Sequence, residues 1–329
     1  MLITTVIGNY PKIPDLPSPG KWRSAVEKLQ KGQITEADLK KVEDEVTLEA
    51  IQDQVNAGVD LLTDGHIRWD DPQTYFARRL RGFSVNGLQR YFDTNIYFRE
   101  PVAEGAVVWY EPISVRDFEF ARRNSPKPIK PVVTGPFTLA KLSRNTFYKS
   151  PREFTLALAR ALNAELRALE KAGAEIIQVD EPVLCRHKED YPLFAEAMKI
   201  LMEGVKAKKA LATYFGDVEG VYPQILDLPF DIIGLDFVAG YRNWDALKRA
   251  PFTKSLMFGI LDARNTRLET VDEIVKAIHR ITGVVPADRL MIAPSAGLEF
   301  LPHGVARRKL QRLVEGTRTA SQALKGARA

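Results

Sequence analysis

The chain has 329 residues, 45% hydrophobic and 27% charged, a composition that supports a sizeable core and excludes a disordered chain. Its formal net charge of +5 is spread among interspersed acids and bases, and no window reaches 18 uninterrupted apolar residues, so neither nucleic acid nor a membrane is an expected partner. A single cysteine, Cys185, excludes a disulfide within the chain and any multi-cysteine zinc site.

The first residues, MLITTVIGNYPKIPDLP, lack the basic region, long apolar run and small-residue cleavage site of a secretory signal, which predicts a cytoplasmic protein. LITTVIGN (2 to 9) is the first of eight short β-branched and apolar runs. TEADLKKVEDEVTLEAIQDQVNAG then carries helix start and stop signals before the second run, VDLLTDG (59 to 65). The interval from Pro72 to Lys130 exceeds what one crossover needs. It predicts an excursion over one mouth of the fold, a hairpin or lid around YFDTNIYFREPV. PVVTG (131 to 135) precedes a helix with Ser150 as N-cap, Pro151 in the first position, Glu153 closing a capping box and Gly173 past its end. EIIQVDE (175 to 181), ALATYFGD (210 to 217), DIIGLDF (231 to 237) and SLMFGILD (255 to 262) follow. A helix with Thr270, Glu273 and Gly283 then leads to RLMIAPS (289 to 295).

Near-continuous apolar runs suit strands buried on both faces, as parallel sheets require. Eight of them alternating with helices predict a (β/α)8 TIM barrel, one domain over 1–329, with residues 72–130 inserted between strands two and three. The rival is a doubly wound open sheet, but no dinucleotide or phosphate-loop glycine motif is present.

In such barrels catalytic groups collect at the C-terminal strand ends. Those ends supply Asn9, Asp64 with His66, Thr134, Asp180 with Glu181, Thr213 with Asp217, Asp236, Asp262 with Arg264, and Ser295. Asp217 and Asp262 read equally well as helix N-caps. Two carboxylates followed by Pro182 suit a ligand-holding loop. His66, beside Asp64, Arg68 and Asp70, reads either as an acid-supported imidazole or as a surface residue. His279 and His303 read as structural, and the Cys185-x-His187 spacing as coincidence.

IGNYP, TGPFTLAKLS, QVDEP, LATYFGD and IAPSAGLEFLP, in this order, resemble cobalamin-independent methionine synthases. The resemblance spans essentially the whole chain, as one barrel where the full-length family form has two. It implies transfer of a methyl group from methyltetrahydrofolate to the sulfur of homocysteine, held by zinc as a thiolate. The family's His-x-Cys pair falls on Leu211 and Thr213 and its last cysteine on Ala296. Three of four zinc ligands are therefore replaced, with Asp236 standing near the fourth, and no metal site is expected. His66 takes the place of an acid, Asn9 that of a serine, and Leu142 that of a tryptophan that stacks on the pterin. FDTN, ATYFGD, GILDARN and IAPS are closer to the family's N-terminal barrel, itself without metal.

The expected function is a methionine-synthase-like methyltransferase that methylates a homocysteine-like thiol from a methylfolate or methylcorrinoid donor. His66, Asp64 and Glu181 are the catalytic candidates. Asn9, Asp180, Thr213, Asp236, Arg264 and Ser295 are the candidates for holding an amino-acid or anionic substrate, with Asp180 and Glu181 facing its amino group. Arg78, Arg79, Arg81 and Arg264 would meet its carboxylates. A metal relocated to His66, Asp180, Cys185 and His187 is a second route to an activated thiol. A corrinoid protein or a separate methyl-donor chain is the candidate partner. An accessory ligand-binding barrel and a metal-free decarboxylase are the alternative functions.

Overall fold

The structure, a computed structural model, describes residues 2–12 and 20–326; residues 1, 13–19 and 327–329 of the expected domain lie outside the described ones. The strands are β1 (Ile3–Thr4), β2 (Arg81–Arg90), β3 (Tyr97–Val108), β4 (Val132–Thr134), β5 (Arg144–Asn145), β6 (Ile176–Asp180), β7 (Lys208–Ala212), β8 (Ile232–Asp236), β9 (Ser255–Leu261) and β10 (Leu290–Pro294). Seven of these form one curled parallel sheet in the order β1-β10-β9-β8-β7-β6-β4. Their side chains are buried almost throughout, which is why they read as unbroken apolar runs rather than as alternation.

Helices cover the outside of the sheet: α1 (Lys21–Gln30), α2 (Glu36–Ala57), α3 (Pro72–Ala77), α4 (Val115–Arg123), α5 (Pro136–Lys141), α6 (Pro151–Lys171), α7 (Tyr191–Leu201), α8 (Asn243–Ala246), α9 (Val271–Thr282) and α10 (His303–Gly326). On α9, Ile274, Ile278 and Ile281 lie on one stripe and are fully buried, each contributing about 2 kcal/mol. Thr270 and Glu273 close its capping box. Ser150 caps α6 by accepting from the Glu153 N–H, but the Glu153 carboxylate takes the Lys149 N–H, so the expected reciprocal bond to Ser150 is not made.

The first two predicted strands are much shorter than expected. β1 covers two residues, and the run at 59–65 survives only as parallel bridges, Thr5 to Leu61 and Leu62 to Ile129. Side chains replace the missing ladder. Asp60 accepts from the backbone and hydroxyl of Thr4, and Thr5 Oγ1 donates to the Leu61 carbonyl. Gln54 of α2 bonds both backbone groups of Thr63, which therefore needs no strand neighbour.

Residues 81–108 form an antiparallel hairpin, β2 with β3, joined by β5 into a second, three-stranded sheet. Its turn comes down on the main sheet's loops. Tyr91 and Phe92 contact Phe215 after β7, with ring centroids 6.1 and 5.2 Å apart. Asp93 pairs with Arg186 and Arg264. Among the described residues no helix is long and apolar enough to cross a membrane.

Candidate active site

After β1 the chain runs through Gly8 to Asn9, and the imidazole of His66 packs closely against Gly8. A Cβ on Gly8 would overlap the ring. His66 itself has a left-handed backbone (φ 52°), stabilised by its N–H bond to Asp64 Oδ1 at 3.0 Å. The ring stacks on Trp69 at a centroid distance of 3.7 Å and an angle of 9°. Burial, reinforced by Lys12 and Lys130, holds its pKa well below the usual value, so the imidazole is neutral. His66 Nδ1 lies 3.0 Å from Asn9 Oδ1, and this network assigns the proton to Nδ1. Nε2 is buried 3.9 Å from Asp64 Oδ1 with no hydrogen-bond partner among the described residues. Burial also raises the Asp64 pKa.

Asn9 passes the network on by donating from Nδ2 to Glu299 Oε1 at 3.1 Å. Glu299 follows β10, packed where a Cβ on Gly297 would overlap its Oε2. Burial raises it to about 7 against the favourable influence of its own N–H, Asn9 and Lys12. Oε2 has no hydrogen-bond partner outside its own residue among the described residues. Asn9 and Glu299 open onto a cleft of about 520 Å³ with apolar walls that include Trp22, Trp69, Tyr91 and Phe300. Lys12 is its cation, pushed down to about 8 by burial, bonded to the Trp69 carbonyl and 4.8 Å above the Trp22 ring. Trp22 Nε1 also lacks a partner among the described residues.

Asp180, at the end of β6, accepts from Gln178 Nε2 at 2.7 Å and from the Tyr214 hydroxyl at 3.1 Å. Burial raises it to about 7, and Lys130, buried beneath it and bonded to Gln178, pulls the other way. Lys130 is itself lowered to about 7 by burial. Gln178 also donates to the Ile7 carbonyl, which ties Asp180 to the strand carrying Asn9.

The remaining expected site residues are engaged by the protein. Glu181, a catalytic candidate in the sequence, is fully buried, and its two oxygens accept the N–H groups of Phe137 and Thr138 at the start of α5. That is a capping role. Thr213 donates to the Gly234 carbonyl. Asp236 accepts from the N–H groups of Phe215, Val238 and Ala239, and Ser295 from that of Ala263. Thr134 donates to the Pro72 carbonyl, Asp217 pairs with Lys188, and Asp262 accepts the Arg264 N–H. Arg264 lies over Phe215 and reaches Asp93. The three inserted arginines are likewise occupied, Arg78 by Asp70 and Arg79 and Arg81 by the rings of Tyr75 and Tyr110. Cys185 is buried and its thiol is pushed up to about 12, which disfavours a metal-binding thiolate. The one cluster of metal-ligand side chains among the described residues is His187, Glu189 and Asp190, so the relocated set of His66, Asp180, Cys185 and His187 does not come together.

Sequence reasoning missed Glu299, Lys12 and Tyr214. Glu299 and Tyr214 stand within motifs quoted above, in GLEFLP and LATYFGD, and Lys12 directly follows IGNYP.

Residues 2–319 match the family described as the catalytic domain of cobalamin-independent synthase. The chain belongs to the cobalamin-independent methionine synthase family. A methionine synthase of Saccharolobus solfataricus is 34% identical over 99% of this chain and 96% of its own length. A methionine synthase of Sulfurisphaera tokodaii is 32% identical over 99% of this chain and 94% of its own. Among solved structures, a B12-independent methionine synthase from Shewanella sp. W3-18-1, in complex with selenomethionine, superposes with a TM-score of 0.87. It is 25% identical and covers 99% of both chains.

Proposed function

We propose that the chain is a methyltransferase of methionine-synthase type that methylates an amino-acid thiol held in the Lys12–Glu299 cleft, without the zinc of its family. Family membership over nearly the whole chain supports the reaction class. The observation that carries the acceptor is that Lys12, Trp22 and Glu299 line one cleft, with the buried Trp22 Nε1 and Glu299 Oε2 lacking hydrogen-bond partners among the described residues. These complement the carboxylate and hydrogen-donating groups of a small zwitterion. The selenomethionine complex of the Shewanella relative is consistent with an amino-acid ligand.

The residues at the family's metal positions do not fit zinc. Leu211 and Ala296 have no donor atom, the Thr213 hydroxyl is bonded to Gly234, and Asp236 is bonded to three backbone N–H groups. In this reading the Leu61–Leu62 bridges stand for an eighth strand that closes the barrel, and the hairpin turn at 91–96 acts as a lid. His66 and Asp180 position Asn9 and Tyr214, and the methyl donor is a methylfolate or a methylcorrinoid presented by a separate chain.

The test is methionine formation from homocysteine with each donor, alongside elemental analysis of protein purified without chelator. The expected outcome is methionine with at least one donor, at a rate that chelator leaves unchanged and with zinc well below one per chain. Homocysteine binding without turnover by either donor would favour an accessory ligand-binding barrel. Activity that tracks zinc content would overturn the metal-free reading.

A further inference from the structure

A thiol with a pKa near 8.5 is mostly protonated at neutral pH, so a site without a metal needs another way to ionise it. Three carboxylates line the cleft: Asp70, Asp71 and Glu299. Asp70 is paired with Arg78. Asp71 caps α3, its Oδ1 accepting the Gln73 and Thr74 N–H groups and its Oδ2 the Thr74 hydroxyl. Behind them, both oxygens of Asp180 and of Glu181 are bonded, and His66 stands behind Asn9. Asp70 is exposed and held through one oxygen only, so among the three Glu299 alone has one oxygen fixed by a side chain and the other buried without an outside partner.

We infer that Glu299 is the general base that takes the thiol proton, oriented by the Asn9–His66 pair and assisted by the charge of Lys12. The inference rests on the thiol-acceptor reading above. In the step, the S–H bond breaks, its electron pair stays on sulfur, and an O–H bond forms at Glu299 Oε2. The orientation follows from the hydrogen bonds. Neutral His66 donates from Nδ1 to Asn9 Oδ1, which leaves the Asn9 amide N–H to hold Oε1, so Oε2 is presented in one direction. His66 is a positioning residue here, since its depressed basicity makes it a poor proton acceptor. The charged and titratable groups facing Glu299 are Lys12 from the first turn, Asp180 from the end of β6, and the Tyr91 and Tyr214 hydroxyls. Lys12 favours the carboxylate form of Glu299, and burial and Asp180 keep that carboxylate basic enough to accept a proton near neutrality.

The experiment compares wild type, Glu299→Gln and Asn9→Ala with homocysteine and with its selenol analogue, which is already ionised at neutral pH. Affinity for each is followed by calorimetry. The expected result is a loss of about 100-fold or more in kcat for Glu299→Gln with the thiol, an equal change in affinity for thiol and selenol, and recovery of most of the rate with the selenol. The wild-type rise of kcat/KM with pH around neutrality should disappear in that variant, and Asn9→Ala should lose about tenfold in kcat with little change in KM. A Glu299→Gln enzyme that keeps its rate and pH limb, or one that loses thiol and selenol turnover alike, overturns the base. A wild type that methylates nothing overturns the reading on which it rests, and the base with it.

Discussion

The corner of the sheet between β7 and β8 and the corner around the first turn carry the same kinds of residue and use them differently. At the first corner, Thr213 and Asp236 direct their polar atoms at backbone groups: the hydroxyl at the Gly234 carbonyl, the carboxylate at the N–H groups of Phe215, Val238 and Ala239. At the second, Asn9, His66 and Glu299 bond one another and still leave His66 Nε2 and Glu299 Oε2 without an outside partner among the described residues. Buried polar atoms are almost always paired, because an unpaired one costs about 1–3 kcal/mol. Hydrogen bonds at the first corner hold loops in place, whereas the second keeps two buried polar atoms unpaired among the described residues.

The contrast breaks most visibly if Asp236→Ala is tolerated. Removing one acceptor from three backbone donors should cost about 3 kcal/mol in a urea unfolding curve, with homocysteine affinity of the folded protein unchanged. A cost near zero would mean that this corner is not structural. Gly8→Ala sharpens the other side. The added Cβ meets the rigid, stacked imidazole rather than a flexible chain end, so about 2 kcal/mol of stability and the His66–Asn9 bond should be lost together. A shift of the His66 ring signals by NMR checks the second part.

Asp180 gives a smaller, pH-dependent effect. Burial raises its pKa from 3.8 to about 7, so the folded chain keeps a proton that the unfolded chain releases. Stability from this group therefore falls as pH rises from about 4 to about 7, by at most about 1.4 kcal/mol per pH unit, and levels off above. Asp180→Asn should make that fall shallower, and an unchanged profile would show that Asp180 is ionised throughout. The smallest effect belongs to Arg264→Ala. Its partner Asp93 is exposed, so less than about 1 kcal/mol of global stability is expected, with faster amide exchange confined to residues 91–96.

The buried strands of the main sheet were legible because parallel strands covered on both faces are apolar without interruption, as IIQVD and IIGLD show. The first two strands were over-read for a physical reason. LITTVIGN and VDLLTDG have the right composition, but Thr4, Thr5, Gln54 and Asp60 satisfy their backbones with side chains, and composition does not say which partner a backbone N–H will take. The site was legible to the level of the motif. Asn9, His66 and Asp180 were picked out with Glu181, Thr213 and Asp236, because residue type and place on a strand do not separate an acid that caps a helix, as Glu181 does, from one bonded to other side chains, as Asp180 is.

By itself, the sequence determined the alternation of apolar strands and capped helices and the family, since these depend only on residue type and order. Tertiary structure decided which carboxylates are spent. Glu299 is 290 positions from Asn9, and only curling of the sheet brings β10 beside the first turn and places one carboxylate oxygen against an amide while leaving the other unpartnered. Hydrogen bonds of that reach are set by three-dimensional packing, and no local spacing encodes them.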